Sequence, residues 1–112
     1  MITFEQFQNN CDIEDARVKE EWAILKVRDE LKRQKDKWGV QDHNATMWAT
    51  IIGEEYGEMC KEVNEFMFTP TPEIEVKMFE EAIQTAACCI AMCGNMLRNS
   101  EAVQEHADFY IC

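Results

Sequence analysis

The chain has few of the residues that interrupt helices. Its 112 residues include 4 glycines and 2 prolines, spread among 46% hydrophobic and 29% charged residues. Long segments with apolar residues at helical spacing, separated by few breakers, favour an all-α fold. The length suits a single domain that buries one core without disulfides or structural zinc. We therefore expect one all-α domain over residues 1–112, with a core of roughly 13–98 and short flanking helices at both ends.

Long apolar runs and positive charge are also scarce. No stretch is apolar enough to span a bilayer, and the N-terminus shows no signal-peptide pattern; Thr3-Phe4-Glu5-Gln6 is typical of a capped helix start. The chain has 11 Lys and Arg against 22 Asp and Glu, a formal net charge of −11. Such an acidic surface disfavours binding to nucleic acid or to anionic membranes. We expect a cytoplasmic protein with neither partner.

The cysteine and histidine patterns of metal and redox sites are missing. The 6 cysteines form no Cys-x-x-Cys pair, and Cys88, Cys89 and Cys93 lie in an alanine-rich run where cysteine behaves as a small hydrophobe. A zinc or redox role therefore has little support, and reduced packing cysteines are expected. A di-iron helical bundle needs Glu-x-x-His pairs, and neither His43 nor His106 has a glutamate three residues before it.

Capping residues divide the chain into helices. Asp12, Thr71 and Ser100 are expected N-caps, and either Asn44 or Thr46 is a fourth. Gly39 suits a C-cap, and Thr69-Pro70-Thr71-Pro72 a rigid turn. The predicted helices cover about 3–11, 13–36, 45–67 and 72–98, with a last short helix ending near residue 109.

Apolar periodicity predicts which faces of the two later long helices are buried. On the helix over 45–67 the apolar face is expected to contain Ile52, Tyr56, Met59, Val63 and Phe66. On the helix over 72–98 it is expected to contain Phe79, Ala82, Ile83, Ala86, Ile90, Cys93 and Leu97. Small residues on that helix permit the close approach of a partner helix: Ala86, Ala87, Cys89 and Ala91. The resulting architecture is a four-helix bundle.

Glutamates form a second stripe on the helix over 45–67. Glu55, Glu58 and Glu62 fall at i, i+3 and i+7, where like charges repel and add no stability. Carboxylates gathered at the edge of a buried face are what a hard divalent cation needs. Glu81 and Gln84 repeat the i, i+3 spacing on the next helix. We expect these two helices to face each other and to hold Mg²⁺ between them; a solvated acidic face is the alternative.

Two segments together resemble a known family. Glu54-Glu55-Tyr56-Gly57-Glu58, followed by Glu81-Ala82-Ile83-Gln84, resembles the EExxE…ExxD pattern of the MazG-like nucleoside triphosphate pyrophosphohydrolases, in the all-α NTP pyrophosphatase superfamily. Lys37-Trp38-Gly39-Val40-Gln41-Asp42-His43 resembles a segment of one MazG-like branch. The resemblance covers roughly residues 18–98. The sequence departs from the family pattern at its last position, where Gln84 stands in place of aspartate.

The resemblance implies Mg²⁺-dependent hydrolysis of an NTP or dNTP to the monophosphate and pyrophosphate, with Mn²⁺ as an alternative ion. It implies metal ligation by Glu55, Glu58 and Glu81, with Gln84 at the fourth position, and a catalytic set of Glu54, Glu55 and Glu58. It also implies a MazG-type domain that assembles as a homodimer or homotetramer. Which carboxylate acts as the general base stays open. Gln84 favours the other interpretation, a non-catalytic helical binding or regulatory module that retains the fold.

Residues around the acidic helix are candidates for substrate binding. Trp48 lies on the Glu55 side of its helix, about 10 Å earlier along the axis, which suits a ring that stacks on a base; a core position is the equal alternative. Trp38, Gln41 and His43 are candidates for lining the same pocket, although a lone histidine in a loop is more often structural.

The basic residues of the chain cluster in one place. Positive charge concentrates toward the end of the helix over 13–36, where it also favours the helix dipole. Lys37 at the end of this cluster is a candidate for contacting substrate phosphates. Lys77 is a further candidate, and an i, i+4 ion pair with Glu81 is its alternative role. The cluster comprises Arg28, Lys32, Arg33, Lys35 and Lys37.

Overall fold

The computed structural model describes Thr3, Glu5 and residues 16–110. Its helices are α1 (Ala16–Trp38), α2 (Ala45–Phe68), α3 (Pro72–Asn99) and α4 (Glu101–Tyr110). No strand occurs in these ranges, so the all-α class is confirmed. The observed bounds of α2 and α3 agree with the predicted ones to within a residue. The predicted cap at Asp12 lies outside the described residues, as does most of the predicted helix over 3–11.

Side-chain caps fix where α2 and α3 begin. Asn44, not Thr46, is the N-cap of α2, and its side chain accepts a hydrogen bond from a first-turn backbone N–H at 2.8 Å. Thr71 caps α3 in the same way at 3.2 Å. α1 ends where Gly39 adopts a φ of 75° and its N–H donates to the carbonyl of Lys35 at 2.8 Å. Each cap satisfies backbone groups that a helix end leaves unpaired.

α3 is the central helix. α2 and α3 form an antiparallel hairpin, since Trp48 near the start of α2 donates to Asn95 near the end of α3. α1 packs on another side of α3, where Gln34 reaches Cys88. In the described part of the chain α1 and α2 do not approach each other closely through their backbones, and α4 packs against α3. Thus α1 and α2 lie on two sides of α3, and the charges of Glu30 and Arg33 on α1 act on Glu55 of α2.

The core that a single chain buries is small. Among the described hydrophobic residues, the buried ones are Val18, Trp48, Ala87 and Cys88. The predicted core face of α3 is wrong for most of its length, because α1 and α2 occupy the other two sides of that helix. Its exposed members are Phe79, Ala82, Ile90, Cys93 and Leu97. Ile83 and Ala86 are half-buried.

The predicted apolar face of α2 is only partly covered. Ile52, Met59 and Phe66 are half-buried, whereas Tyr56 and Val63 are exposed. α2 turns the side that carries Trp48 and the glutamates toward α3, and this rotation leaves Tyr56 outside. Within the described residues, no helix combines the length and apolar character needed to cross a membrane.

Candidate metal centre

The hairpin of α2 and α3 brings three carboxylates together. One oxygen each of Glu55, Glu58 and Glu81 lies within 4.8 Å of the others. The i, i+3 spacing puts Glu55 and Glu58 on one face of α2, and the antiparallel pairing sets Glu81 of α3 opposite them. The convergence expected from the sequence is therefore present for these three residues.

Two of these carboxylates each have one buried oxygen without a hydrogen-bond partner. Glu55 Oε2 and Glu81 Oε2 are buried and receive no hydrogen bond. A buried polar atom without a partner costs free energy, and a buried charge costs more. Burial is the largest cause that raises the pKa of Glu55, followed by the charge of Glu58. Burial and then Glu58 likewise raise the pKa of Glu81.

The donor set fits a hard divalent cation. Mg²⁺ and Mn²⁺ prefer carboxylate oxygens, and Mg²⁺ sites commonly use one or two carboxylates and leave other positions to water and phosphate. Glu55, Glu58 and Glu81 stand on two helices packed directly against each other. A cation among them would pair the orphaned oxygens and offset the mutual repulsion.

Two further glutamates of α2 lie beside this site. Glu62 Oε1 is buried and has no hydrogen-bond partner, and the charge of Glu62 contributes to raising the pKa of Glu81. The acidic stripe predicted on α2 therefore continues next to the three converging carboxylates. Glu54 is exposed, and its charge contributes to raising the pKa of Glu55. It lies at the edge of the cluster, as the sequence predicts for a residue about 100° around the helix from Glu55.

A groove of about 550 Å³ lies between α1 and α3. Gln84 lines it together with Glu30 and Arg33. Arg33 binds Glu30 through two hydrogen bonds, Nε to Oε1 at 2.9 Å and Nη2 to Oε2 at 2.6 Å. The bond from Arg33 is the largest cause that lowers the pKa of Glu30. Gln84, the fourth residue of the predicted ligand set, therefore faces α1 in this groove, whose lining does not include Glu55, Glu58 or Glu81.

Glu30 is the site neighbour that the sequence analysis did not single out. Its charge contributes to raising the pKa of Glu55, and the charge of Arg33 acts on Glu55 in the opposite direction. Arg33 belongs to the predicted basic cluster, but nothing in that cluster distinguishes it from its neighbours. The i, i+3 spacing of Glu30 and Arg33 is the one signal in the sequence. It shows that the two can pair, and only the packing of α1 shows that they face α2.

Trp48 occupies the core position, the second of its two expected roles. It is 3% exposed, and its Nε1–H donates to Asn95 Oδ1 at 2.7 Å. The same oxygen accepts the backbone N–H of His43 at 2.7 Å. The rings of His43 and Trp48 meet edge to face, with centroids 4.9 Å apart. In this arrangement Trp48 holds the start of α2 against α3 and presents no open face to a base.

The remaining candidate binding residues are spread over the surface. Trp38 is 54% exposed, with the Lys37 ammonium 4.5 Å from the centre of its ring. Gln41 lines a separate groove of about 180 Å³ between α1 and α3. Lys77 is exposed. Among the described residues it forms no ion pair with Glu81, so that alternative is not seen.

Comparison of the chain with protein-family models, with curated proteins and with solved structures found no match in any of the three.

Proposed function

We propose that the chain is a Mg²⁺-dependent nucleoside triphosphate pyrophosphohydrolase of the MazG type, which converts an NTP or dNTP to the monophosphate and pyrophosphate. One observation carries the proposal: Glu55, Glu58 and Glu81 converge within 4.8 Å, and two of them keep buried oxygens without partners. The resemblance in the acidic segments of α2 and α3 supplies the reaction and the nucleotide. Mn²⁺ is an alternative ion, and a homodimer or homotetramer of bundle-like domains is part of the proposal.

The resemblance suggests a role for each residue, and the positions of the residues support these roles. Glu55, Glu58 and Glu81 would hold the ion, which when bound neutralises phosphate charge and activates water. Gln84 would contribute an amide oxygen without charge. A carboxylate that does not bind the ion would accept the proton of the attacking water, and Glu54 and Glu62 lie next to the ligands on α2. Arg33, in the groove between α1 and α3, would meet the negative charge of a phosphate with the donors that do not bind Glu30.

A second candidate function is a non-catalytic helical binding or regulatory module. Gln84 favours it, because an amide replaces the fourth carboxylate of the MazG pattern and lowers the negative charge offered to a cation. Thermal melting with and without Mg²⁺ and each nucleotide discriminates the two. A ligand that binds only the folded state raises the midpoint, and an absence of any shift with every nucleotide supports the second candidate.

The test of the first candidate is a screen of pyrophosphate release from all NTPs and dNTPs with Mg²⁺ and with Mn²⁺. We expect release from at least one nucleotide, and we expect Glu55→Gln and Glu58→Gln to abolish it while circular dichroism stays helical. Glu65→Gln, at an exposed position of α2, is the matched control and keeps the wild-type rate. Wild-type rates in both site variants would remove the assigned roles.

A further inference from the structure

A small groove lies between the later parts of α1 and α3, beside the loop that follows α1. Its volume is about 180 Å³. On α3 it includes Gly94, which lies about 20 Å from Glu81 along the helix axis. The groove is therefore separate from the carboxylate cluster, and we name it the Gly94 groove. Its lining includes Leu31, Lys35, Val40, Ile90, Gly94 and Arg98.

The open space of the groove depends on a glycine inside α3. Glycine in the middle of a helix is less favourable than alanine, because its unfolded backbone has more freedom to lose. A Cβ added to Gly94 would lie 3.5 Å from Arg98 Nη1, which is ordinary van der Waals contact. A small side chain therefore fits, whereas a long one would extend into the groove. The glycine leaves open a space that a larger residue would fill.

The charge of the lining is positive in a chain of net charge −11. Lys35 and Arg98 line the groove, and among the described residues the lining contains no Asp or Glu. Arg98 Nη2 donates to Asp42 Oδ1 at 2.7 Å, so the charge of Arg98 is paired. Lys35 belongs to none of the ion pairs that the described part of the chain forms. One unpaired positive charge therefore remains, and it favours one negative charge in a bound molecule.

The volume of the groove limits the size of that molecule. A cavity of about 150 Å³ holds benzene, whereas pockets for drug-sized ligands measure about 300–1,000 Å³. The Gly94 groove, at about 180 Å³, therefore suits one ring with a single acid group and is too small for a nucleotide. Its apolar lining matches the ring, and this part of the lining includes Leu31, Val40 and Ile90.

We propose that the Gly94 groove is a binding site for a small organic monoanion, a single apolar ring that carries one carboxylate. The ring lies against the apolar side chains of α1 and α3, and the carboxylate lies beside the Lys35 ammonium. A charge-assisted contact of this kind discriminates the acid from an uncharged molecule of the same shape. The inference does not rest on the proposed enzymatic function, because the groove contains none of the three converging glutamates.

Titration of benzoate into the isotope-labelled full chain, followed through the amide chemical shifts, tests the proposal. We expect saturable shifts at the amides of Gly39 and Gly94, which both line the groove. Benzoate should bind about fivefold more tightly than benzamide, which has the same ring and no charge. Lys35→Gln should weaken benzoate binding about fivefold and leave benzamide binding unchanged. Lys32→Gln removes a charge from an exposed position of α1 outside the groove and should change neither affinity.

Gly94→Leu tests the space in the groove without changing its charge. The leucine side chain would fill the groove and abolish the shifts, while its higher helix propensity favours folding. Gly53→Leu is the matched control, because Gly53 is an exposed glycine of α2 with no atom within 4 Å of an added Cβ. It should bind benzoate as the wild type does. An absence of saturable shifts at the groove, equal affinities for benzoate and benzamide, or wild-type binding by Gly94→Leu would overturn the proposal.

Discussion

At the candidate metal centre, two glutamates have polar atoms whose hydrogen-bonding capacity the described part of the protein leaves unused. Glu55 and Glu81 keep buried oxygens without hydrogen bonds, and their pKa values are raised, chiefly by burial. A carboxylate used only for stability is normally paired, and pairing lowers its pKa, as Arg33 does for Glu30. The contrast between Glu30 and these two half-buried glutamates distinguishes the cluster from an ordinary paired or fully solvated acidic face.

The raised pKa values predict how the metal-free protein responds to pH. An unfolded glutamate titrates near 4.5, and Glu55 and Glu81 titrate above that value in the folded chain. Between the unfolded and folded values the folded state binds more protons, so stability falls as pH rises through this window. Glu55→Gln removes one of the charges. In EDTA it should raise the midpoint of melting at neutral pH by a few degrees and flatten the pH profile, because the amide carries no charge that burial and Glu58 disfavour.

Melting curves of both proteins from acid to neutral pH measure this effect, with Glu65→Gln as the control. A lower midpoint for Glu55→Gln at neutral pH would mean that the Glu55 carboxylate is satisfied within the chain, contrary to the account. Addition of Mg²⁺ should raise the midpoint of the wild-type protein and have little effect on Glu55→Gln.

Asn95 is expected to be the most sensitive residue for folding. Its Oδ1 accepts both the His43 backbone N–H and the Trp48 indole N–H in a buried setting. Asn95→Ala leaves two donors unpaired and should lower the free energy of unfolding by about 2–4 kcal/mol. Asn95→Asp, which keeps an acceptor oxygen, and Asn99→Ala, at an exposed position, should cost less. Urea titrations measure the order, and an equal loss in all three variants would contradict it.

At the scale of helices, the sequence determines where each element begins and ends better than which side it buries. Asn44, Thr71 and Gly39 act locally, so their caps and the bounds of α2 and α3 were predictable. α3 carries apolar or small residues on several sides, and periodicity alone does not show which sides α1 and α2 cover. The predicted buried face containing Phe79 and Ile90 is therefore only half covered, and these two side chains line grooves between α1 and α3.

The candidate site likewise has features that local sequence patterns predict and features that depend on how the helices pack. The i, i+3 pairing of Glu55 with Glu58 is a property of one helix, and the facing of Glu81 follows from a short antiparallel hairpin. The position of Glu30 and Arg33 depends on the register of α1 on α3, which no local pattern encodes. Trp48 was ambiguous for a related reason, since only the partner Asn95, 47 residues away in sequence, identifies it as a core residue.

Alanine substitutions at two glycines should change the stability of the protein in opposite directions. Neither Gly39 nor Gly53 has an atom within 4 Å of an added Cβ, but only Gly39 has a positive φ, of 75°. Gly39→Ala should destabilise the protein by about 1 kcal/mol, because side chains rarely adopt that conformation. Gly53→Ala, inside α2, should stabilise it by about 0.5–1 kcal/mol through helix propensity. Chemical denaturation measures both, and a loss in both variants would show that Gly53 packs closely against a partner.

At the scale of the whole molecule, the chain is extended for its length. Its radius of gyration is 16.6 Å, and its principal extents are 44 × 34 × 26 Å. A compact domain of 112 residues has a radius of gyration of about 13 Å. A small buried core, exposed apolar residues on α3 and this extended shape fit the homodimer or homotetramer that we propose.

Stability should therefore depend on protein concentration. If association stabilises the fold, the melting midpoint rises by a few degrees for a tenfold rise in concentration. Added NaCl should raise it further, because each copy carries a net charge of −11 and salt screens the repulsion between copies. Differential scanning calorimetry over a hundredfold range of concentration measures both trends. A midpoint independent of concentration would indicate a self-sufficient monomer.

Calorimetric titration of Mg²⁺ and Mn²⁺ into the purified chain measures whether carboxylates from α2 and α3 together bind a divalent cation. Glu81 and Glu80 are neighbours of identical chemistry, but only Glu81 belongs to the converging cluster. We expect binding by the wild type and by Glu80→Gln, and at least a tenfold weaker affinity in Glu81→Gln, about 1.4 kcal/mol. Equal affinities in the two variants, or no binding by the wild type, would contradict it.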